Sequence, residues 1–192
     1  MDKGALRRVF LRKRKTLTKA EYNRRNAFII DYFKKSFKFE KNENIHSFIP
    51  IVKNKEVDTW PIIKHIYPEH GNIVVSRIDP SKNSMDHFKY SEGLTLKTNR
   101  WGIPEPQDGE RVGDLQIDVI LIPLIICDKL GNRIGYGKGY YDILLSKCRP
   151  EVKKIGLSLA PLVDKIDFME PFDVPLDYCI SPNGLHVFKD NI

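Results

Sequence analysis

The sequence predicts an α/β domain with a largely parallel sheet and helices on its faces. Three observations predict it. Segments patterned like strands alternate along the chain with segments of helical period. Residues 117–123, IDVILIP, form a nearly continuous apolar run, which suits a central strand covered on both faces. A glycine-rich turn follows that run, and a helix follows the turn.

Taken in order, residues 3–15 read as a basic helix with Ala5, Leu6, Val9 and Phe10 on its apolar side. Thr18 is placed to cap a second helix, with Glu21 completing a capping box. Ile29, Phe33 and Phe37 recur at four-residue spacing and share one face of it. Residues 45–51 read as a short strand ended near Pro50. Asp58 or Thr59 caps a helix over residues 60–67, whose first turn tolerates Pro61. Strands are expected over 72–78 and 87–90. The stretch 94–113 is rich in Gly, Pro and charge and reads mostly as loop; it is the candidate to close over a site. A helix over 138–148 and strands over 154–159, 177–181 and 185–188 complete the alternation.

The 192 residues suit one domain over residues 1–192 with a substantial core. The formal charge of +7 favours anionic partners: nucleic acid, anionic membrane, or small phosphates and carboxylates. Much of it lies in Lys3, Arg7, Arg8, Arg12, Lys13, Arg14 and Lys15, a run that also suits a solvated helix face. Phe10 is the only aromatic residue in it, which is poor aromatic interleaving for a single-strand binder. Cys127, Cys148 and Cys179 match no metal spacing, so reduced thiols are expected. The longest apolar run, 119–127, is too short to span a bilayer, and the charged N-terminus has no signal core. The expectation is a cytoplasmic protein that binds small molecules, not nucleic acid or membrane, and acts as a monomer.

The segment richest in chemistry is GNRIGYGKGYYD, residues 131–142. Gly135, Gly137 and Gly139 alternate, and glycine permits positive φ and close approach of a ligand to the backbone. Successive amides in such a turn form an anion cradle, and the following helix adds its positive end. Arg133 and Lys138 supply full charges beside it. These are the parts needed to hold a triphosphate, although the spacing is neither the P-loop nor the dinucleotide pattern. Alternating glycines alone would equally suit a structural turn. Of Tyr140 and Tyr141, one ring is expected to pack and the other to face a ligand. Asp142 either complements its helix's N-terminal dipole or helps hold Mg²⁺ beside phosphates.

These residues carry a resemblance. DVILIP (118–123) followed by CDKLGNRIGYGKGYYD (127–142) resembles the signature of the 5-formyltetrahydrofolate cyclo-ligase family. KGALR (3–7), EVDT (56–59), WGIPEP (101–106), Asp173 and Asp177 resemble further islands of that family in the same order. Two positions depart from the pattern: Tyr136, where some relatives carry Arg, and Leu124, where the family often has Gly. The resemblance implies a three-layer α/β/α fold similar to sugar-phosphate isomerases and CoA transferases. It implies ATP contacts from Lys3, Arg7, Arg133, Ile134, Gly135, Tyr136, Gly137, Lys138, Gly139, Tyr140 and Tyr141. It implies folate contacts from Ile51, Glu56 and Trp101, and from Tyr136, Gly137, Lys138, Gly139 and Tyr140. Asp142 and Asp173 match Mg²⁺ positions, and Lys138 and Arg133 are the expected catalytic cations. The implied reaction closes a ring on 5-formyltetrahydrofolate with ATP as co-substrate.

Three rival readings stand beside it. A nucleic-acid-binding domain explains the charge but not the glycine turn. A sugar-phosphate isomerase explains the anion cradle but needs no ATP. A non-catalytic folate binder would not need the charged residues of the long motif.

Overall fold

The computed structural model describes residues 2–99, 102–168, 170 and 173–188. Helix α1, Lys3–Lys15, starts where the Asp2 carboxylate accepts from the Ala5 amide at 2.6 Å. Helix α2, Lys19–Ser36, is capped by the Thr18 hydroxyl, which accepts from the Glu21 amide at 3.1 Å. The capping box is only half made, because the Glu21 carboxylate turns to Arg24 and Arg25 instead.

Eight strands form the main sheet: β1 Asn44–His46, β2 Asn72–Asp79, β3 Ser84–Lys89, β6 Arg111–Val112, β7 Val119–Pro123, β10 Lys153–Leu157, β11 Tyr178–Ser181 and β12 Gly184–Val187. Their order is β12-β11-β10-β7-β1-β2-β3-β6. The middle five strands, β11 to β2 in that order, run parallel, and the flanking pairings β11–β12, β2–β3 and β3–β6 are antiparallel. The expected central strand is therefore central, with β10 on one side and β1 on the other.

Alternation along β7 sorts its side chains between two cores. Val119 and Leu121 join Ile29 and Phe33 of α2 and Ile62, Ile63 and Ile66 of α3, Trp60–Ile66. Ile120 and Ile122 face the other way, onto Leu144 and Leu145 of α4, Tyr140–Lys147. Two helices thus cover one face and one covers the other, giving the three layers. Leu6 and Phe10 dock α1 onto a small third cluster of Ile126, Ile134 and Ile166.

Several boundaries differ from the sequence expectation. The strand expected over 45–51 leaves the ladder after His46. The Ser47 amide still bonds the Val74 carbonyl at 2.8 Å, but Pro50 has no amide and the Ile51 amide turns to the Glu56 carboxylate at 2.6 Å. The 94–113 stretch contains a small hairpin of β4, Leu96–Thr98, and β5, Pro104–Pro106, in addition to the edge strand β6. The glycine-rich turn is preceded by another hairpin, β8 Ile126–Cys127 and β9 Arg133–Ile134. At α3 the Thr59 hydroxyl makes no cap; it donates to the Phe48 carbonyl at 2.6 Å, and Asp58 accepts from the Trp60 amide at 3.2 Å.

Candidate functional site

The connectivity fixes where a site should form. After β1 the chain crosses through α3 to β2 on one side, and after β7 it crosses through α4 to β10 on the other. β1 and β7 are neighbours, so the topological switch lies between their carboxyl ends, the crevice where open α/β sheets bind ligands. Residues 47–56 and 124–139 leave the sheet there. They carry Ile51 and Glu56 on one side and the glycine turn on the other.

The turn has the backbone that glycine was expected to supply. Gly137 and Gly139 have φ of 84° and 71°, a region L side chains rarely adopt, whereas Gly135 is not in that region. Gly139 is the N-cap of α4, so no side chain bonds the first amides of that helix. Those amides and the helix dipole are available to an anion.

Helix α1 lies against this turn. Arg7 Nε donates to the Gly135 carbonyl at 2.8 Å. A Cβ on Gly137 would stand 2.9 Å from the guanidinium carbon of Arg7, so the close approach requires glycine. Lys3 pairs with Asp173 at 2.5 Å. Arg133, buried, pairs with Asp142 at 2.6 Å and donates to the Val174 carbonyl. Its guanidinium thereby joins the start of α4 to the segment that carries Asp173. Ile134, buried beside it in β9, packs in the core under α1. Lys138 is exposed, and among the described residues no hydrogen bond or ion pair holds it.

Of the two tyrosines, Tyr141 is the one that packs. Tyr141 packs edge-on against the buried His46 ring, 5.8 Å between centroids, and burial pushes its hydroxyl well above the usual range. Tyr140 begins α4 and is half-buried. The Tyr136 hydroxyl lies beside the Glu56 carboxylate and accepts from Arg14. Glu56 is buried, and desolvation pushes its carboxyl up, opposed by the Tyr136 hydroxyl, the Ile51 amide and Arg14. Trp101, the remaining expected folate contact, lies outside the described residues. Asp177 does not join the site: it forms a buried pair with Lys154 at 2.9 Å.

The carboxylates suit a magnesium ion that arrives with phosphates. Asp142 and Asp173 are held on either side of Arg133 and Val174, each already against a cation. Among the described residues, no group of three or more His, Cys, Asp or Glu forms a protein-only metal cage. One or two carboxylates completed by phosphate oxygens is how Mg²⁺ is usually bound. The residues therefore fit the ion.

Two arrangements escaped the sequence reading. Arg14 is buried, donates to the Leu124 carbonyl at 3.1 Å and to the Tyr136 hydroxyl, and lies over the Tyr136 ring. The signal was present: Lys3, Arg7 and Arg14 fall on one face at helical spacing. Behind Tyr141, the buried His46 and His87 meet on the half-buried Ser76 hydroxyl, with contacts of 2.7 and 2.6 Å, and the chain ends on Asp114, 2.9 Å from His87. Its members come from three strands, so no local pattern marks it.

The sheet's switch point, the glycine turn and the converging cations belong to an α/β protein with a crevice whose chemistry suits an anion. Comparison with known proteins narrows the class. The sequence model of the 5-formyltetrahydrofolate cyclo-ligase family matches residues 1–182, and the chain belongs to that family. It is 32% identical over 131 residues to a mouse 5-formyltetrahydrofolate cyclo-ligase, an alignment covering 64% of this chain and 64% of the mouse protein. The fold matches the solved structure of a 5,10-methenyltetrahydrofolate synthetase from Aquifex aeolicus with a TM-score of 0.82 at 27% identity, covering 100% of this chain and 95% of that one. A Mycoplasma pneumoniae 5,10-methenyltetrahydrofolate synthetase structure matches with a TM-score of 0.68 at 25% identity, covering 94% and 98% of the two chains. The family resemblance and the fold read from the sequence are both borne out.

Proposed function

We propose that this chain converts 5-formyltetrahydrofolate and ATP to 5,10-methenyltetrahydrofolate, ADP and phosphate. The observation that carries the reading is Arg7 seated in the glycine turn at the uncapped start of α4, with the Lys3 and Arg133 ion pairs beside it. Family membership and the names of the relatives supply the substrate.

The chemical difficulty is the formyl oxygen, which leaves badly from a poorly electrophilic carbon. In the proposed route the formyl oxygen attacks the γ-phosphorus and ADP leaves. N10 of the same folate then attacks the activated carbon and loses its proton, and phosphate departs with the former formyl oxygen. Attack within one bound molecule has little translational entropy to lose. The protein's part is positioning and charge stabilisation. Amides of Gly135, Tyr136, Gly137, Gly139, Tyr140 and Tyr141 line the turn against the phosphates, with Ile134 fixing the strand that leads into it. Lys3, Arg7, Arg133 and Lys138 offset negative charge, the last two nearest the transferring group. Ile51, Glu56, Tyr136 and Tyr140 hold the pterin side, with Trp101 as a further aromatic neighbour. Asp142 and Asp173 would hold Mg²⁺, which supplies positive charge to the phosphate oxygens. Binding would exchange partners: cations now held by carboxylates would turn to phosphate.

The same reading has one domain over residues 1–192 acting as a cytoplasmic monomer on small molecules, without nucleic acid or membrane. Among the described residues no helix is long and apolar enough to cross a membrane. The test is absorbance of methenylfolate with ATP, Mg²⁺ and 5-formyltetrahydrofolate all supplied and each omitted in turn. Product only in the complete mixture is expected; product without ATP, or none at all, refutes the proposal.

A further inference from the structure

We propose that the cavity between α1, α2 and the ends of β7 and β10 holds the aminobenzoyl-glutamate end of the folate, with Lys13 and Arg14 taking its carboxylates. The inference rests on the function proposed above.

The cavity lies over the carboxyl ends of two neighbouring strands. Ile125 enters it from the segment after β7, and Leu159, Ala160 and Pro161 enter it from the segment after β10. Phe10, Lys13 and Arg14 of α1, Leu17 beyond it and Arg25 of α2 close the other side. The enclosed volume is about 240 Å³. Pockets that take a whole drug-sized molecule start at about 300 Å³, so this one suits one end of a larger ligand.

The lining is of two kinds. Phe10, Leu17, Ile125, Leu159 and Pro161 offer apolar surface, and three side chains bring positive charge. Among the described residues no Asp or Glu lines the cavity. Arg25 is already satisfied, by the Glu21 carboxylate at 2.6 Å and the Leu159 carbonyl at 2.6 Å. Lys13 is exposed, with its Nζ 5.0 Å from the centre of the Phe10 ring, and forms no ion pair among the described residues.

Arg14 is the sharper case. It is 7% exposed and has no ion pair among the described residues. Its Nη atoms donate to the Leu124 carbonyl and the Tyr136 hydroxyl, both uncharged, and its Nε is buried without a partner. An arginine this deeply buried is ordinarily paired with an anion. An unmet charged donor is costly, and a carboxylate arriving in the cavity supplies what is missing.

The two kinds of lining select the ligand. A carboxylate carried on an apolar body satisfies both, whereas inorganic phosphate would leave the apolar part wet. The far end of a folate has this form: a flat benzoyl ring, then a glutamate with two carboxylates. Arg14 also supplies the position. It lines the cavity and donates to the Tyr136 hydroxyl, which lies beside the Glu56 carboxylate. A folate with its pterin at Glu56 thus has the cavity one side chain further on. Arg133, Asp142 and Asp173, on the nucleotide side, do not line it.

The test measures three dissociation constants by calorimetry: for 5-formyltetrahydrofolate, for 5-formyl-6-methyltetrahydropterin, which lacks the aminobenzoyl-glutamate, and for Mg²⁺–ATP. Wild type should bind the whole folate at least about tenfold more tightly than the pterin. Lys13→Glu should weaken folate binding about tenfold and leave the pterin and Mg²⁺–ATP within about twofold. Arg12→Glu makes the same charge change at an exposed position outside the cavity, and should move folate affinity by less than about threefold. Ala160→Phe fills the cavity without altering charge, and should also weaken folate about tenfold while sparing the pterin. Equal weakening towards the pterin or Mg²⁺–ATP, equal effects of the Lys13 and Arg12 variants, or unchanged folate affinity in Ala160→Phe would overturn the inference. Should Ala160→Phe fail to fold, Lys13→Glu against Arg12→Glu decides alone. A wild-type chain that turns over folate but binds it no better than the pterin sinks the inference and leaves the proposed function standing. Absence of any folate binding sinks both.

Discussion

Arg7 and Gly137 occupy one another's space: the guanidinium carbon of Arg7 lies where a side chain on Gly137 would begin, 2.9 Å from its ideal Cβ position. Two residues 130 positions apart in sequence thus form one surface. Replacing Gly137 with Ala both displaces Arg7 and forces an L side chain to φ of 84°. The strain alone costs about 1–2 kcal/mol. Mg²⁺–ATP affinity should fall at least tenfold while folate affinity stays within about threefold, and calorimetry with each ligand checks both. An Ala variant with normal ATP affinity would remove the turn from the nucleotide site.

Lys138 is exposed and unheld among the described residues, as suits a cation that folds onto an arriving anion. Lys138→Met should lower turnover by about 10²-fold or more, the size of loss seen when one donor to the charge developing in the transition state is removed. Near-normal formation of methenylfolate would deny it the role.

Arg7 touches the turn, while the Glu56 side of the crevice is served by other residues. Arg7→Ala should therefore raise the apparent Michaelis constant for ATP by about tenfold and that for folate by much less. Steady-state kinetics with each substrate varied in turn decides it; equal changes in both would contradict the assignment.

The buried His46 and His87 should make the fold acid-sensitive. Burial is the first cause that holds both below the usual imidazole range; for His46 the neighbouring His87 adds to it, and for His87 Asp114 opposes it. A base with a lowered folded-state pKa binds its proton more readily when unfolded. Stability is therefore complete above about pH 6.5 and falls below it, by about 1.4 kcal/mol per pH unit for each histidine until its folded-state pKa is reached. Thermal melts from neutral to acid pH should show this slope, and His46→Gln should flatten it. Identical slopes in variant and wild type would place the sensitivity elsewhere.

What the sequence disclosed follows from how local each signal is. Residues 117–123 announced a central strand because both faces of β7 are buried, which leaves an unbroken apolar run. The glycine turn was legible because its residue types are demanded by its backbone. The hairpin of β4 and β5 was hidden because two of the three residues of β5 are prolines, the usual mark of a loop. It is a strand nonetheless, and Glu105 from it accepts the Ile78 amide at 3.0 Å.

Arg14 was hidden differently. It sits in a run of basic residues that reads as a solvated face, yet it is the buried one among them. The face it shares with Lys3 and Arg7 separates it from Arg8 and Arg12, which are exposed. The chain His46–Ser76–His87 had no signature at all, because sheet register brings its members together.

The central claim is that the 135–139 turn and the first turn of α4 grip the phosphates of a nucleotide. Its most direct test is titration of the isotopically labelled protein with Mg²⁺–ATP, followed at each backbone amide by NMR. The account predicts that the amides of Gly135, Gly137, Gly139 and Tyr140 shift first and most, together with the Arg7 side chain. Saturable shifts confined to another part of the sheet, with these amides unmoved, would contradict it.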